Sequence, residues 1–258
     1  MRLFIAVIKL LLICISTVFF YVIITICLLP SIIGLKGNRW SPYFLSIWGR
    51  VVCKIIGLTI TVKGDAPKPP YFLISNHLSY IDIFLLISCT PSVFIAKSEV
   101  LSWPLFGFMS KTVGMLFIDR NKKKDVKRVN KLISERISDT QGILLFPEGT
   151  TSKGSSILPF KASLLAYPAE VGIPVHYVTI HYSTSESEPH ASESVCWWRD
   201  ETFIAHFIEL LKLKSISGTL YFGDKPVTNS NRKELAKDLH ERVTKEFVPI
   251  TDDLATKS

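Results

Sequence analysis

Residues 71–84 read YFLISNHLSYIDIF, and their order decides the fold. FLIS has the apolar character of a short buried strand, the polar pair Asn76-His77 interrupts it, and a helix is predicted from Ser79. A strand, a polar turn and a helix in that order form the repeating unit of an α/β sheet. The unit recurs downstream. Strands are predicted at 71–75, 93–96, 115–118, 143–146, 175–180 and 219–222, and helices at 79–88, 104–111, 123–138, 161–170, 202–211 and 232–247. The alternation predicts an α/β domain with a largely parallel or mixed sheet, flanked by helices on both faces. The Ser- and Glu-rich stretch 183–194 reads as a solvated loop. His77 would sit at the carboxyl end of a strand, where open α/β sheets place their ligands.

Upstream the chain changes character. No charged side chain occurs between Leu10 and Leu35, and the run LLLICISTVFFYVIITICLL contains neither Pro nor Gly. This exceeds the roughly 20 apolar residues that a helix needs to cross a bilayer core. No small-residue cleavage site follows, so a retained membrane helix is expected. Residues 41–58, SPYFLSIWGRVVCKIIGL, carry apolar residues at helical spacing, with Arg50 and Lys54 on another face. They suit either an interfacial helix or one packed on the domain. The Pro-rich APKPP then leads into the body, giving an anchoring segment 1–64 and an α/β domain 65–258.

The bulk numbers follow from this division. The chain has 258 residues, 48% hydrophobic and 20% charged, with mean hydropathy +0.31 and pI near 9.2. Such a composition excludes a disordered chain. Five cysteines do not make a secreted disulfide framework. Residues 1–64 hold seven of the 30 Lys+Arg and none of the 22 Asp+Glu, so +7 of the net +8 belongs to the anchor and its flanks. The charge therefore describes a membrane contact. No nucleic-acid-binding signature accompanies it, and no nucleic-acid partner is expected. Arg2 and Lys9 precede the long helix, while Lys36, Arg39, Arg50, Lys54 and Lys63 follow it. That bias predicts a helix anchored in the inner (cytoplasmic) membrane, with the body on the cytoplasmic side, the helix either crossing the bilayer or entering one leaflet and returning.

Three strand ends carry chemistry. Asp82 lies close enough to His77 to orient its imidazole as a general base. Ser79-x-x-Asp82 is equally a capping box, which would give Asp82 a structural task. VGMLFIDR ends in Asp119 and Arg120, a guanidinium suited to phosphate or to a surface ion pair. GILLFPEGTTS ends in Glu148, Gly149 and Thr150, groups that can bind a polyol or phosphate, or simply turn the chain. His176 and His181 lack the cluster a metal would need, so no metal is expected. The basic group Lys122, Lys123, Lys124, Lys127, Arg128 and Lys131 is either a solvated face or a docking surface for an acidic carrier. Cys196-Trp197-Trp198 fits a membrane-contacting loop or core packing.

These segments together resemble the glycerolipid (1-acylglycerol-3-phosphate) acyltransferase family. Asn76-His77-x-Ser79-x-x-Asp82 matches its H-x4-D block, and residues 97–120, with Pro104, Gly107, Gly114 and FIDR, match the second. Residues 146–150, FPEGT, match the third, and Ile173-Pro174-Val175 the fourth. The resemblance implies acyl transfer from acyl-ACP or acyl-CoA to a lipid hydroxyl, with membrane lipids as partners and no other cofactor. His77 and Asp82 would be catalytic; Asn76, Gly114, Arg120, Glu148, Gly149, Thr150 and Lys161 would bind substrate. Lysophosphatidic acid is the acceptor expected first, with phosphatidic acid as product. Yet Thr151 stands where many phosphatidic-acid-forming members have Arg. The continuation TTSKGSSILPFKASLL resembles bacterial members that include lyso-ornithine lipid acyltransferases, so another lysolipid is the alternative acceptor. Lys161 would either restore the missing charge or begin a helix. A membrane lipid-binding protein without catalysis is the remaining alternative.

Overall fold

The computed structural model describes residues 1–32, 40–98, 101, 106–112, 114–118 and 123–250. The uncharged run as far as Ile32, with the residues before it, forms α1 (Arg2–Ile32), which is long and apolar enough to cross a membrane. It does not stand apart from the body. Arg2 pairs with Glu188 at 3.5 Å, and Lys9 Nζ donates to the carbonyls of Ile56 (3.0 Å) and Leu213 (2.7 Å). Further along, Trp48 Nε1 donates to Thr17 Oγ1 at 3.2 Å, and Tyr21 OH donates to Thr112 Oγ1 at 3.2 Å. Ala6, Phe20 and Ile24 are buried, while Phe4, Leu11, Ile15, Val18, Val22 and Ile26 remain exposed.

Helix α2 (Ser41–Ile56) has Pro42 in its first turn and ends at Gly57. Of its two expected placements it takes the packed one, against α1 and α3 (Ile81–Cys89). Its crossing with α3 is close: a Cβ on Gly49 would lie 2.6 Å from Ile87 Cγ1. Arg50, though exposed, donates through Nε to Ser88 O at 2.8 Å and so caps the end of α3.

Seven strands form one sheet in the order β1-β7-β6-β2-β5-β3-β4. They are β1 (Leu58–Lys63), β2 (Phe72–Ser75), β3 (Ser92–Lys97), β4 (Leu116–Ile118), β5 (Gly142–Leu145), β6 (Val175–Thr184) and β7 (Ile216–Phe222). The pairings are parallel except β6 with β7, so the sheet is mixed, as expected. Central β2 and β5 are buried at every position, which suits apolar runs covered on both faces. Leu73, Leu144 and Val178 face one core with α2 and α3; Phe72, Ile74 and Ile143 face another. The second core is shared with α6 (Ala166–Val171) and α9 (Arg232–Glu246). The other helices are α4 (Phe106–Thr112), α5 (Lys123–Arg136), α7 (Ala191–Ser194) and α8 (Phe203–Leu211).

Three sequence expectations differ from this. Strand β1 falls inside the segment 1–64 assigned to the anchor; its exposed Thr59, Thr61 and Lys63 hide an edge strand that pairs with β7. The expected helix 161–170 divides into a 3-10 turn (Ala162–Leu165) and the short α6. The loop 183–194 is not simply solvated: β6 runs on to Thr184, and Ala191 and Ser192 are buried in α7.

Candidate active site

The parallel strands β2, β5, β3 and β4 end along one edge of the sheet, and the polar turns named above leave from it. At the end of β2, the buried Asn76 accepts from Ile180 N–H at 2.7 Å and donates to Ile180 C=O at 3.0 Å. Both polar ends of its amide are thus engaged by β6, which fastens the turn holding His77.

Asp82 is fully buried and receives four donors. Oδ2 accepts from His77 Nδ1 (2.8 Å), Leu78 N–H (2.7 Å) and Ser79 N–H (3.0 Å), and Oδ1 accepts from Tyr182 OH (2.8 Å). The capping and orienting readings of Asp82 are therefore realised together. A carboxylate facing Nδ1 holds the proton there, which leaves Nε2 as the acceptor nitrogen. Nε2 has no hydrogen-bond partner among the described residues, and the His77 side chain is 18% exposed. Its ring lies flat on Phe146, with centroids 3.9 Å apart and planes 9° from parallel, so the imidazole cannot tilt freely.

Glu148 is also buried, at 2% exposure. Oε1 accepts from His77 N–H at 2.7 Å and Oε2 from Leu158 N–H at 3.0 Å, which ties the third motif to the catalytic turn. Burial pushes its carboxyl up to about 8, against the opposing pull of the two N–H donors, with the Asp82 charge adding to the rise. A carboxyl whose folded value lies above its unfolded one supplies stability that is fully present below the unfolded value and lost as pH rises through the folded one. Wild-type protein should therefore melt at a lower temperature near pH 9 than near pH 6, and Glu148→Gln should flatten that slope. Equal slopes in thermal scans of the two proteins would contradict this account of Glu148.

The other expected residues divide. Gly149 has φ +75°, a left-handed turn that favours glycine, and the Thr150 beside it is exposed at the mouth of the site. Thr151 Oγ1 donates to Trp197 O, Ser152 N–H donates to His77 O at 3.0 Å, and Trp197 N–H donates to Leu78 O at 2.9 Å. Lys161 is exposed, with its backbone N–H on Pro147 O at 2.9 Å. Gly114 precedes β4 and lies level by register with Phe72, at the amino edge, away from His77. A Cβ there would come within 2.7 Å of the Arg136 guanidinium. Arg120 and Asp119 lie outside the described residues, as do the side chains of Lys122, Lys123, Lys124 and Lys127. Arg128 Nη2 donates to Phe117 O at 2.7 Å. No group of three potential metal ligands occurs among the described residues.

Sequence reasoning missed Tyr182 and the packing role of Phe146. Tyr182 would have been found by continuing the strand alternation of β6 beyond Ile180. The Cys-Trp-Trp segment divides between its alternatives. Cys196 is buried and Trp197 packs edge-on to Tyr80 and Phe203, whereas Trp198 is 40% exposed.

A partly exposed histidine held by a buried carboxylate, at the end of a strand and with its second nitrogen unpartnered among the described residues, defines a site for general-base chemistry on a hydroxyl. The acyltransferase family model matches residues 58–181, which contain that site. A lyso-ornithine lipid O-acyltransferase of Rhizobium meliloti is 31% identical over 226 residues, covering 83% of this chain and 76% of the relative. Another enzyme of that name, from Pseudomonas aeruginosa, is 32% identical over 76% of this chain and 75% of its own. A 1-acyl-sn-glycerol-3-phosphate acyltransferase of Neisseria meningitidis is 34% identical over 58% of this chain and 63% of its own. The crystal structure of the 1-acyl-sn-glycerophosphate acyltransferase PlsC from Thermotoga maritima shares the fold, with TM-score 0.65, 19% identity and 95% of each chain covered. The chain belongs to the acyltransferase family and is an acyltransferase enzyme.

Proposed function

We propose that the protein transfers a fatty acyl group from acyl-ACP or acyl-CoA to the free hydroxyl of a lysolipid, with His77 as general base. The observation that carries this is a His77 whose Nδ1 is held 2.8 Å from buried Asp82 and whose Nε2 has no partner among the described residues. Nε2 takes the proton from the acceptor hydroxyl as that oxygen attacks the thioester carbonyl. The tetrahedral adduct collapses with loss of the thiolate, which recovers the proton from the imidazolium. Asp82 holds the ring in the required tautomer and stabilises its charged form, as in a serine-protease triad whose serine is replaced by the substrate hydroxyl. Only the donor and the acceptor enter this scheme.

Two acceptors remain in view. Lysophosphatidic acid follows from the motif blocks. Lyso-ornithine lipid is favoured by two observations. Relatives of that name align over 83% and 76% of the chain, against 58% for the Neisseria enzyme. In addition, Thr151 offers a hydroxyl, already donated to Trp197 O, where a cation would serve a phosphate. Membranes given labelled acyl donor and both acceptors in equal amounts should form mainly acylated ornithine lipid. Labelled phosphatidic acid as the sole product would reverse that preference.

The anchor supports a location at the cytoplasmic face of the inner membrane. Arg2, Lys9, Thr17 and Tyr21 all meet the body, over about 28 Å of helix axis at roughly 1.5 Å per residue. The start of α1 thus stays with the catalytic body. This favours a helix lying in one leaflet, its exposed apolar face toward lipid.

A further inference from the structure

We infer that Lys153, Glu193 and Arg199, gathered at the exposed Trp198, form a headgroup subsite that selects an acceptor bearing both a carboxylate and an ammonium group. This deepens the acyltransferase reading and rests on it.

The cluster is built from segments that also hold the catalytic turn. Lys153 directly follows Ser152, whose N–H bonds to His77 O at 3.0 Å. Arg199 lies two residues beyond Trp197, whose N–H bonds to Leu78 O at 2.9 Å. The residues flanking Lys153, Ser152 and Gly154, are buried, as are Ser192 and Ser194 on either side of Glu193. The backbone is therefore fixed while the three charged heads reach solvent, with Lys153 41%, Glu193 37% and Arg199 46% exposed.

Trp198 holds the group together. Its Nε1 donates to Ser192 O at 2.8 Å, in the helix that carries Glu193. Lys153 Nζ lies 5.4 Å and Arg199 Cζ 5.2 Å from its ring centroid, within cation–π range. Both cations also turn to Glu193: Arg199 Nη2 pairs with Oε2, and Lys153 Nζ is 4.0 Å from Oε1.

Two cations and one carboxylate on an aromatic plate match a zwitterion better than a dianion. The ligand's carboxylate would take the forked guanidinium of Arg199, displacing Glu193 in part. Its ammonium would take the freed face of Glu193. A phosphate monoester would gain the same cations but would meet the Glu193 charge, a like-charge penalty of the kind that separates one partner from another. The subsite thus lies beside the Thr151 position and supplies, from elsewhere in the chain, the cations that position lacks.

The test uses the full chain in membranes, labelled acyl thioester, and either lyso-ornithine lipid or lysophosphatidic acid as acceptor. Wild type is compared with Glu193→Gln and with Lys153→Gln/Arg199→Gln, all partly or fully exposed positions where thermal melting confirms folding. Glu193→Gln should move the ratio of kcat/KM for the two acceptors toward the phosphate by about tenfold, the scale of one charge-assisted contact, through KM rather than kcat. The double variant should raise KM for both acceptors. An acceptor ratio within about twofold of wild type in Glu193→Gln and an unchanged KM in the double variant would overturn the subsite. So would a wild-type enzyme that uses lysophosphatidic acid alone. If wild type acylates neither acceptor, the proposed choice of acceptors fails, and the subsite with it.

Discussion

Replacing His77 with Ala should lower acyl transfer by about 10²–10⁴-fold, the usual contribution of a positioned general base. The expectation rests on where the ring is held. Asp82 occupies Nδ1, Phe146 covers one face at 3.9 Å, and Nε2 meets the open edge of the sheet. Among the described residues, no other imidazole is paired with Asp82. His176 and His181 belong to β6, and His181 Nδ1 is held by Val248 O at 2.9 Å. His206 Nδ1 is held by Tyr80 OH at 2.8 Å. Alanine gives up the stacking on Phe146, but Asp82 keeps its three other donors and Glu148 grips His77 through its backbone N–H, which alanine retains. Melting temperature should therefore change little while turnover collapses. A variant that loses both together would mean that the turn, rather than the base, had been damaged.

Asp82→Asn should be of comparable severity, up to about 10⁴-fold, because an amide can present its NH2 to Nδ1 and so favour the wrong tautomer. Here, unlike at His77, stability should also suffer. Asp82 accepts from two backbone N–H groups, an imidazole and a phenol, and Asn replaces one oxygen with a donor. A buried donor left without an acceptor costs about 1–3 kcal/mol. Tyr182→Phe provides the contrast: it removes one of the four donors and leaves His77 and the turn in place. It should therefore fall between wild type and Asp82→Asn in kcat, with KM nearly unchanged. Steady-state kinetics beside thermal melts of the two variants would separate the catalytic from the structural share of the carboxylate.

How much of this was readable beforehand depended on sequence distance. His77 and Asp82 are five residues apart and meet through one turn, so their spacing alone raised the pairing. Tyr182 is a hundred residues from Asp82 and reaches it only because β6 pairs with β2, beyond the end of the strand expected at 175–180. Glu148 was legible as a polar residue after a strand, but its burial was not. That burial comes from Leu158 and His77 closing over it from two other segments. The central strands were plain because both faces are covered and their sequences are continuously apolar. Edge strand β1 was missed for the opposite reason, its outward Thr59, Thr61 and Lys63 resembling a linker. The apolar character of α1 was plain from composition, whereas its attachment to the body depends on single polar contacts at Arg2, Lys9, Thr17 and Tyr21 that composition cannot register.

The most direct test of the central claim is a balance between two products. Membranes carrying the protein are supplied with acyl thioester and lysolipid, and released thiol and newly esterified lipid are counted in the same samples. Transfer from the thioester to a hydroxyl activated by His77 requires one ester for each thiol, with both falling together in His77→Ala. Thiol release without ester would mark a hydrolase, and full transfer in His77→Ala would remove the base from the mechanism; either result contradicts the account.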